Sequence, residues 1–225
     1  MKSKFSAKTN QGELFPEINS IISTAKLDEA LGEVLEISNA KVTFYKNFFN
    51  QEESDKFLQS LNDEIDWRQD KIRMYGKEID LPRKTAWYGD KDKSYKFSGI
   101  RLDPEPWTPT LLQIKKRIEN VAEVDFNSVL LNLYRDGSDG ISWHTDAEPE
   151  LGENPVIGSV SFGETRSFRF RHIYEKERKK VPVNLTHGSF LLMAGETQHF
   201  WQHQVTKTAR KVEPRINLTF RVIVD

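Results

Sequence analysis

Cysteine is absent from this chain of 225 residues. That excludes disulfides, thiolate metal sites and cysteine nucleophiles, and it suits a reducing compartment. Long apolar runs are also missing. Nothing approaches the roughly 20 residues of a membrane-spanning helix, and the first residues lack the apolar stretch of a secretory signal. The expectation is a soluble intracellular monomer without a membrane partner, cytoplasmic in a bacterium or nuclear in a eukaryote. Charge of one sign is lacking as well. The formal net charge is -1, which argues against an indiscriminate polyanion binder. No internal repeat or low-complexity tract interrupts the chain.

What is present is core-forming material and an uneven spread of charge. Hydrophobic residues make up 37% and aromatic residues 11%, enough for a β-rich interior. Residues 165–215 hold 11 Lys and Arg against 4 Asp and Glu, whereas residues 1–164 hold 21 against 29. The local basic excess suits a phosphate backbone, although a solvated basic face has the same composition.

Residues 1–40 read as an N-terminal extension, partly disordered or helical, and 41–225 as the main domain. Lys41–Phe49 reads as a strand. Asn50 then caps a helix over Gln51–Ile65, with Glu53 at the capping-box position. A charged, aromatic, loop-rich region follows at about 67–106. Thr108-Pro109 opens a second helix, whose Leu111, Ile114, Ile118 and Val121 share one face. From about 125 the pattern is β, with strands expected at Ser128–Arg135, Val156–Phe162, Arg166–Ile173, Ser189–Ala194 and Arg215–Val224. Gly163-Glu164 is a predicted hairpin turn between two of them. No helical pattern separates these strands. The predicted architecture is therefore α+β: an antiparallel jelly roll, a double-stranded β-helix core over about 125–225, with helices flanking it on the N-terminal side.

His144 and Asp146 stand two apart, so an extended backbone points both the same way. That spacing alone is a weak signal. A third ligand from a distant strand would give two histidines and one carboxylate, the ligand set of a non-haem Fe(II) oxygenase with its remaining positions open. His199 and His203 share a face if their segment is extended, so periodicity does not choose between them. His172 and His187 suit structural roles better. Twelve residues after His203 comes Arg215-Ile216-Asn217-Leu218-Thr219-Phe220-Arg221. Its arginines could grip an acidic co-substrate, but an alternating strand that merely exposes them gives the same pattern.

Residues 70–223 resemble the AlkB family of Fe(II)/2-oxoglutarate dioxygenases. The motifs are NLY at 132–134, HTD at 144–146, SFGETRSFRFRH at 161–172, HGSFLLMAG at 187–195, WQH at 201–203 and PRINLTFR at 214–221. The segments at 74–90 and 95–100 make the match look closest to the second human homologue, a double-strand DNA repair enzyme, and its bacterial relatives. The resemblance implies that His203 joins His144 and Asp146 on one iron. It implies that Asn132, Tyr134, Arg215, Thr219 and Arg221 hold 2-oxoglutarate, with Asn217 orienting that pocket. The implied reaction consumes O2 and 2-oxoglutarate, removes the methyl of N1-methyladenine or N3-methylcytosine in alkylated DNA, and releases formaldehyde, succinate and CO2.

The same resemblance makes Tyr95, Phe97 and Glu148 the pocket for a flipped cationic base. Tyr75, followed by Gly76 and Lys77, becomes an aromatic finger that enters the base stack. Arg83, Lys84, Arg169, Arg171 and the run 176–180 could contact phosphates, although that last run also reads as a solvated loop between strands. Ala147 and Lys96 depart from the second homologue's pattern, which leaves lesion and strand preference open. Two other readings stand beside this one: an oxygenase acting on RNA or protein, and a catalytically silent nucleic-acid-binding module.

Overall fold

The computed structural model describes residues 32–74, 76–93, 95–97 and 100–224. The expected extension over 1–40 therefore lies, up to residue 31, outside the described residues. Helix α1, Gln51–Glu64, starts where its chemistry demands: the Asn50 side chain accepts the Glu53 N–H and the Glu53 carboxylate accepts the Asn50 N–H. Helix α2, Pro109–Ala122, is capped by Thr108 with proline in its first turn. Its Leu111, Ile114 and Ile118 are fully buried, each stabilising the fold by about 1.5–3 kcal/mol.

Seven strands form the larger sheet, in the spatial order β1 (Glu33–Val34), β2 (Lys41–Tyr45), β13 (Ser189–Ala194), β10 (Ile157–Gly163), β15 (Arg215–Arg221), β8 (Ser128–Tyr134) and β5 (Lys84–Gly89). Four form the smaller: β12 (Val181–Leu185), β11 (Arg166–His172), β14 (Trp201–Val205) and β9 (Ile141–His144). Two hairpins stand apart, β3 (Lys71–Met74) with β4 (Lys77–Asp80) and β6 (Tyr95–Phe97) with β7 (Ile100–Leu102). Every strand pairing is antiparallel. Among the described residues no helix is long and apolar enough to cross a membrane.

Two cores organise these elements. One joins α1 and α2 to the larger sheet through Val129, Leu131, Val160, Phe162, Ile216, Leu218 and Phe220. The other lies between the sheets and includes Tyr134, Ile157 and Met193 from the larger and Phe168, Phe170 and Val205 from the smaller. Strand periodicity does the sorting. In β15, Ile216, Leu218 and Phe220 face the helices, which leaves Arg215, Asn217, Thr219 and Arg221 on the face toward the smaller sheet. All seven residues are buried.

Two expectations are corrected here. The jelly roll does not form: the fold is mixed α/β with several antiparallel sheets, and none closes or curls into a double-stranded β-helix. Period-two alternation identifies strands and favours antiparallel pairing. Closure depends on which edges meet, and β1, β5, β12 and β9 remain edges. Gly163-Glu164 is not a hairpin turn either. The strands it joins lie in different sheets, β10 pairing with β13 and β15, and β11 with β12 and β14. Gly163 has φ +88, and a Cβ there would collide with the Pro214 carbonyl. Its glycine is needed for a crossover that hugs the next segment.

Candidate metal centre

The inter-sheet space opens on β9 and β14. His144 ends β9 and pairs in register with His203 of β14, with the ring centroids 4.3 Å apart. Asp146 follows two residues later and is buried. One ligand atom from each of His144, Asp146 and His203 lies within 4.8 Å of the others. Antiparallel pairing brings the histidines together, and the two-residue spacing adds the carboxylate.

The surroundings set His203 and Asp146 in the protonation states a divalent cation needs. The His144 Nδ1–H donates to the Ser142 carbonyl at 2.8 Å, which turns Nε2 toward Asp146 Oδ1, 3.8 Å away. Burial lowers the His203 imidazole to about 3, with His144 adding to the effect, so His203 is neutral. Its Nδ1 is buried without a hydrogen-bond partner, while Phe168 stacks on its ring with centroids 5.1 Å apart. Burial alone would raise the Asp146 carboxyl. The Arg221 guanidinium, 3.0 Å from its Oδ1, outweighs this, and the group sits at about 2. The Asp146 N–H donates to Gln198 Oε1 at 3.0 Å, fixing the segment.

The other histidines are engaged elsewhere. His199 sits in the short helix α3, Thr197–Phe200, and its Nε2–H donates to the Glu153 carbonyl at 2.6 Å. A helical turn, not an extended strand, separates it from His203, and this removes the ambiguity that alternation left. His172 Nδ1 accepts the Glu175 N–H. His187 Nδ1 accepts the Gly163 N–H, and its Nε2 meets Asp55 Oδ1 at 3.2 Å.

A cavity runs inward from the triad and ends at Arg215. This arginine is fully buried. Its Nη2 donates to Ser161 Oγ at 2.8 Å, and its Nε and Nη1 have no hydrogen-bond partner. Burial lowers it to about 10 even with Tyr134 beside it, whose ring lies 5.2 Å from the guanidinium. Unmatched buried donors on a cation fit a carboxylate, so the residues present suit an acidic co-substrate. Arg215 is not the exposed arginine that alternation alone allowed. Thr219 and Asn132 line the same cavity. The Asn217 amide donates to Ser159 Oγ and to the Val160 carbonyl, and it accepts from Thr219 Oγ1. Arg83 is buried and its Nε donates to Asn132 Oδ1 at 2.7 Å, so it is not a phosphate contact.

A second cavity lies outward of the triad and shares His144, Asp146, Arg221, Leu130 and Ile141 with the first. Glu148 lines it. So do Arg68, Asp70, Trp87, Asp103 and Glu105 from the segment at 67–106. Sequence reasoning did not single out these five, because no spacing marks them; only their strands and loops bring them to the cavity. Ser161 and Gln198, which hold Arg215 and Asp146, were likewise unmarked.

The substrate residues are placed unevenly. Lys77 is exposed at the start of β4, beside Gly76 at the hairpin tip, with φ +78. Tyr75 lies outside the described residues. Tyr95 and Phe97 lie in β6, and their side chains are outside the described ones. Arg169 is exposed, and Arg171 packs its guanidinium 4.5 Å from the Trp143 ring.

Two histidines and a carboxylate with open positions define a mononuclear non-haem iron centre. Comparison places it. Residues 41–221 match the model of the 2OG-Fe(II) oxygenase superfamily. Alpha-ketoglutarate-dependent dioxygenase alkB homolog 3 of Mus musculus is 41% identical over 195 residues, covering 82% of this chain and 66% of that protein. The Homo sapiens counterpart is 40% identical over 192 residues, with the same coverage. DNA oxidative demethylase ALKBH2 of Mus musculus is 39% identical over 189 residues, 80% of this chain and 79% of that protein. The solved structure of OsALKBH1 superposes with a TM-score of 0.57 at 18% identity, covering 85% of this chain and all of that one, which shows a shared fold. The chain belongs to the 2OG-Fe(II) oxygenase superfamily, among its AlkB-related members, whose cofactor is Fe(II) and whose co-substrate is 2-oxoglutarate.

The expected nearness to the second human homologue does not hold, because the alkB homolog 3 proteins match at 40–41% against 39% for mammalian ALKBH2. The segments that carried it, at 74–90 and 95–100, make up a small part of the chain, and identity over nearly 200 residues outweighs them. The chain spans 66% of the mouse and human alkB homolog 3 proteins.

Proposed function

We propose that this chain is an oxidative demethylase of N-alkylated bases in DNA, acting on N1-methyladenine and N3-methylcytosine. One observation carries the reading: a single wall of His144, Asp146 and Arg221 is common to two cavities. A diacid held from Arg215 in the inner cavity and a base entering the outer one would meet at the triad. Bound there, iron supplies activation of O2 coupled to decarboxylation of 2-oxoglutarate. The balance is one N–CH3 group, O2 and 2-oxoglutarate giving N–H, formaldehyde, succinate and CO2.

The chain's own residues supply placement. Arg215 and Tyr134 anchor the diacid, Asn132 and Thr219 add polar contacts, and Arg221 keeps Asp146 ionised. Leu130 and Ile141 line both cavities and exclude water where they join. Glu148 faces the outer cavity, where a carboxylate favours a base carrying positive charge. By the family resemblance, Tyr95 and Phe97 hold the flipped base, and Tyr75 with Lys77 enters the base stack. The ALKBH2 relatives are DNA oxidative demethylases by name, and the basic excess over 165–215 suits a DNA backbone.

The test measures succinate and formaldehyde from Fe(II)-loaded protein with 2-oxoglutarate and air. Methylated DNA oligonucleotides should release the two products in equal amounts, and the same sequences without the methyl should release no formaldehyde. Stimulation by methylated RNA or a methylated peptide, with none by DNA, would move the assignment to those substrates.

A further inference from the structure

Arg166 opens β11 and is 2% exposed. Among the described residues it makes no ion pair. Its Nη1 donates to the Asp136 carbonyl at 3.1 Å, and its Nη2 donates to the Asp139 and Thr206 carbonyls, both at 2.8 Å. Asp136 and Asp139 belong to the loop between β8, which ends at Tyr134, and β9, which ends at His144. Thr206 directly follows β14, which carries His203. One guanidinium thus clips together the segments that present Tyr134, His144 and His203.

The loop is already fastened in other ways. Arg135 pairs with the buried Asp139 at 2.8 Å, and the Thr208 N–H donates to the Gly137 carbonyl. A clip for shape alone would not need a second buried cation. Yet the Arg166 guanidinium lies 5.8 Å from the Tyr134 ring, the ring that also holds Arg215 at 5.2 Å. Two buried guanidiniums therefore flank one tyrosine that lines the inner cavity, and neither has a carboxylate within ion-pair distance among the described residues. Asp139 and Asp136 act on Arg166 from further off, but its charge still reaches Arg215, and positive charge gathered around Tyr134 favours a doubly charged anion.

We propose that Arg166 is a positioning residue for the diacid co-substrate, holding Tyr134 and the loop at 135–140 in place and adding a second positive charge behind Arg215. It does not touch the diacid. The proposal rests on the reading that Arg215 and Tyr134 hold 2-oxoglutarate.

The experiment compares Arg166→Lys, Arg166→Gln and Arg166→Met with the parent protein. 2-Oxoglutarate binding is measured by calorimetry with Mn(II) in place of iron, alongside unfolding midpoints and the dependence of turnover on 2-oxoglutarate. Arg166→Gln keeps donors without charge, and Arg166→Lys keeps charge with fewer donors, so the two separate the contributions even if Arg166→Met does not fold. Arg166→Gln should weaken 2-oxoglutarate binding about tenfold, and it should raise KM while leaving kcat near the parent value at saturation. Arg166→Lys should recover part of the affinity. Affinity equal to the parent in both variants overturns the proposal, and so does a fall in kcat with KM unchanged. If the parent itself fails to bind 2-oxoglutarate, or Arg215→Met binds it normally, the co-substrate reading fails first. If Arg215→Met abolishes binding while the Arg166 variants bind normally, only the role of Arg166 falls.

Discussion

Arg215→Met should make the protein without co-substrate more stable while removing its grip on 2-oxoglutarate. Arg215 is fully buried, with one hydrogen bond to Ser161 and two nitrogens lacking partners. Burial lowers it from the usual arginine range to about 10, a penalty on the order of 3 kcal/mol. The cation bears this penalty in full below about pH 10 and loses it as pH rises beyond that, because the unfolded chain keeps its proton longer. Methionine fills similar volume without charge, and it forfeits the Ser161 bond, worth about 1 kcal/mol. The net gain is about 2 kcal/mol, or roughly 4–8 °C in Tm for a domain of this size. Against this, losing one partner of a desolvated charge pair costs about 2–5 kcal/mol of affinity, so 2-oxoglutarate should bind at least about thirtyfold more weakly. Scanning calorimetry at pH 8 checks both effects, with and without 2-oxoglutarate and Mn(II). Melting of the variant below the parent in the absence of 2-oxoglutarate would refute the reasoning, since Arg215 would then be a net structural asset.

Three further outcomes follow from the geometry. His203→Ala should abolish Fe(II) binding and turnover, whereas His199→Ala should retain most of both, because His199 Nε2–H is bound to the Glu153 carbonyl; metal titration decides, and the reverse order sinks the ligand assignment. Without metal, stability should fall as pH drops from 6.5 toward about 3, since the unfolded chain takes up a proton on His203 that the folded one refuses, and Asp146 extends the loss below 3.8; denaturation midpoints that stay flat between pH 7 and 4 would contradict this. Tyr75→Ala should slow repair of a methylated duplex far more than repair of the same lesion in a single strand, where little stacking must be replaced; equal slowing of both removes the finger reading.

How much of this was legible in the sequence depends on which physical question each residue answers. Local chemistry read well. Asn50 with Glu53 and Thr108 with Pro109 specify helix starts within a few residues, and both starts appear where capping puts them. Alternation in 215–221 also read well as a strand, but not which face was polar because of solvent and which because of a site. That required the helices to occupy the Ile216 side, a tertiary fact. The strands Val181–Leu185 and Trp201–Val205 were not marked, because Pro182 and the paired glutamines of the second blur the pattern. Without the helical turn at Thr197–Phe200, His199 and His203 could not be separated by spacing.

Sheet closure was the least legible feature, because it concerns edges and not residues. The same limit applies to the outer cavity. Asp70, Asp103 and Glu105 come from segments whose local sequences reveal only charge, and they meet Glu148 only because the β5 side of one sheet stands opposite β9 of the other. The metal ligands were easier to read, His144 and Asp146 from their two-residue spacing and His203 from the family resemblance. Such a centre draws on a small part of the chain, whereas a substrate pocket collects single residues from many parts of it. Sequence should therefore identify the chemistry of such a site sooner than its substrate. That is also why identity over nearly 200 residues, and not the ligand motifs, overturned the expected subgroup.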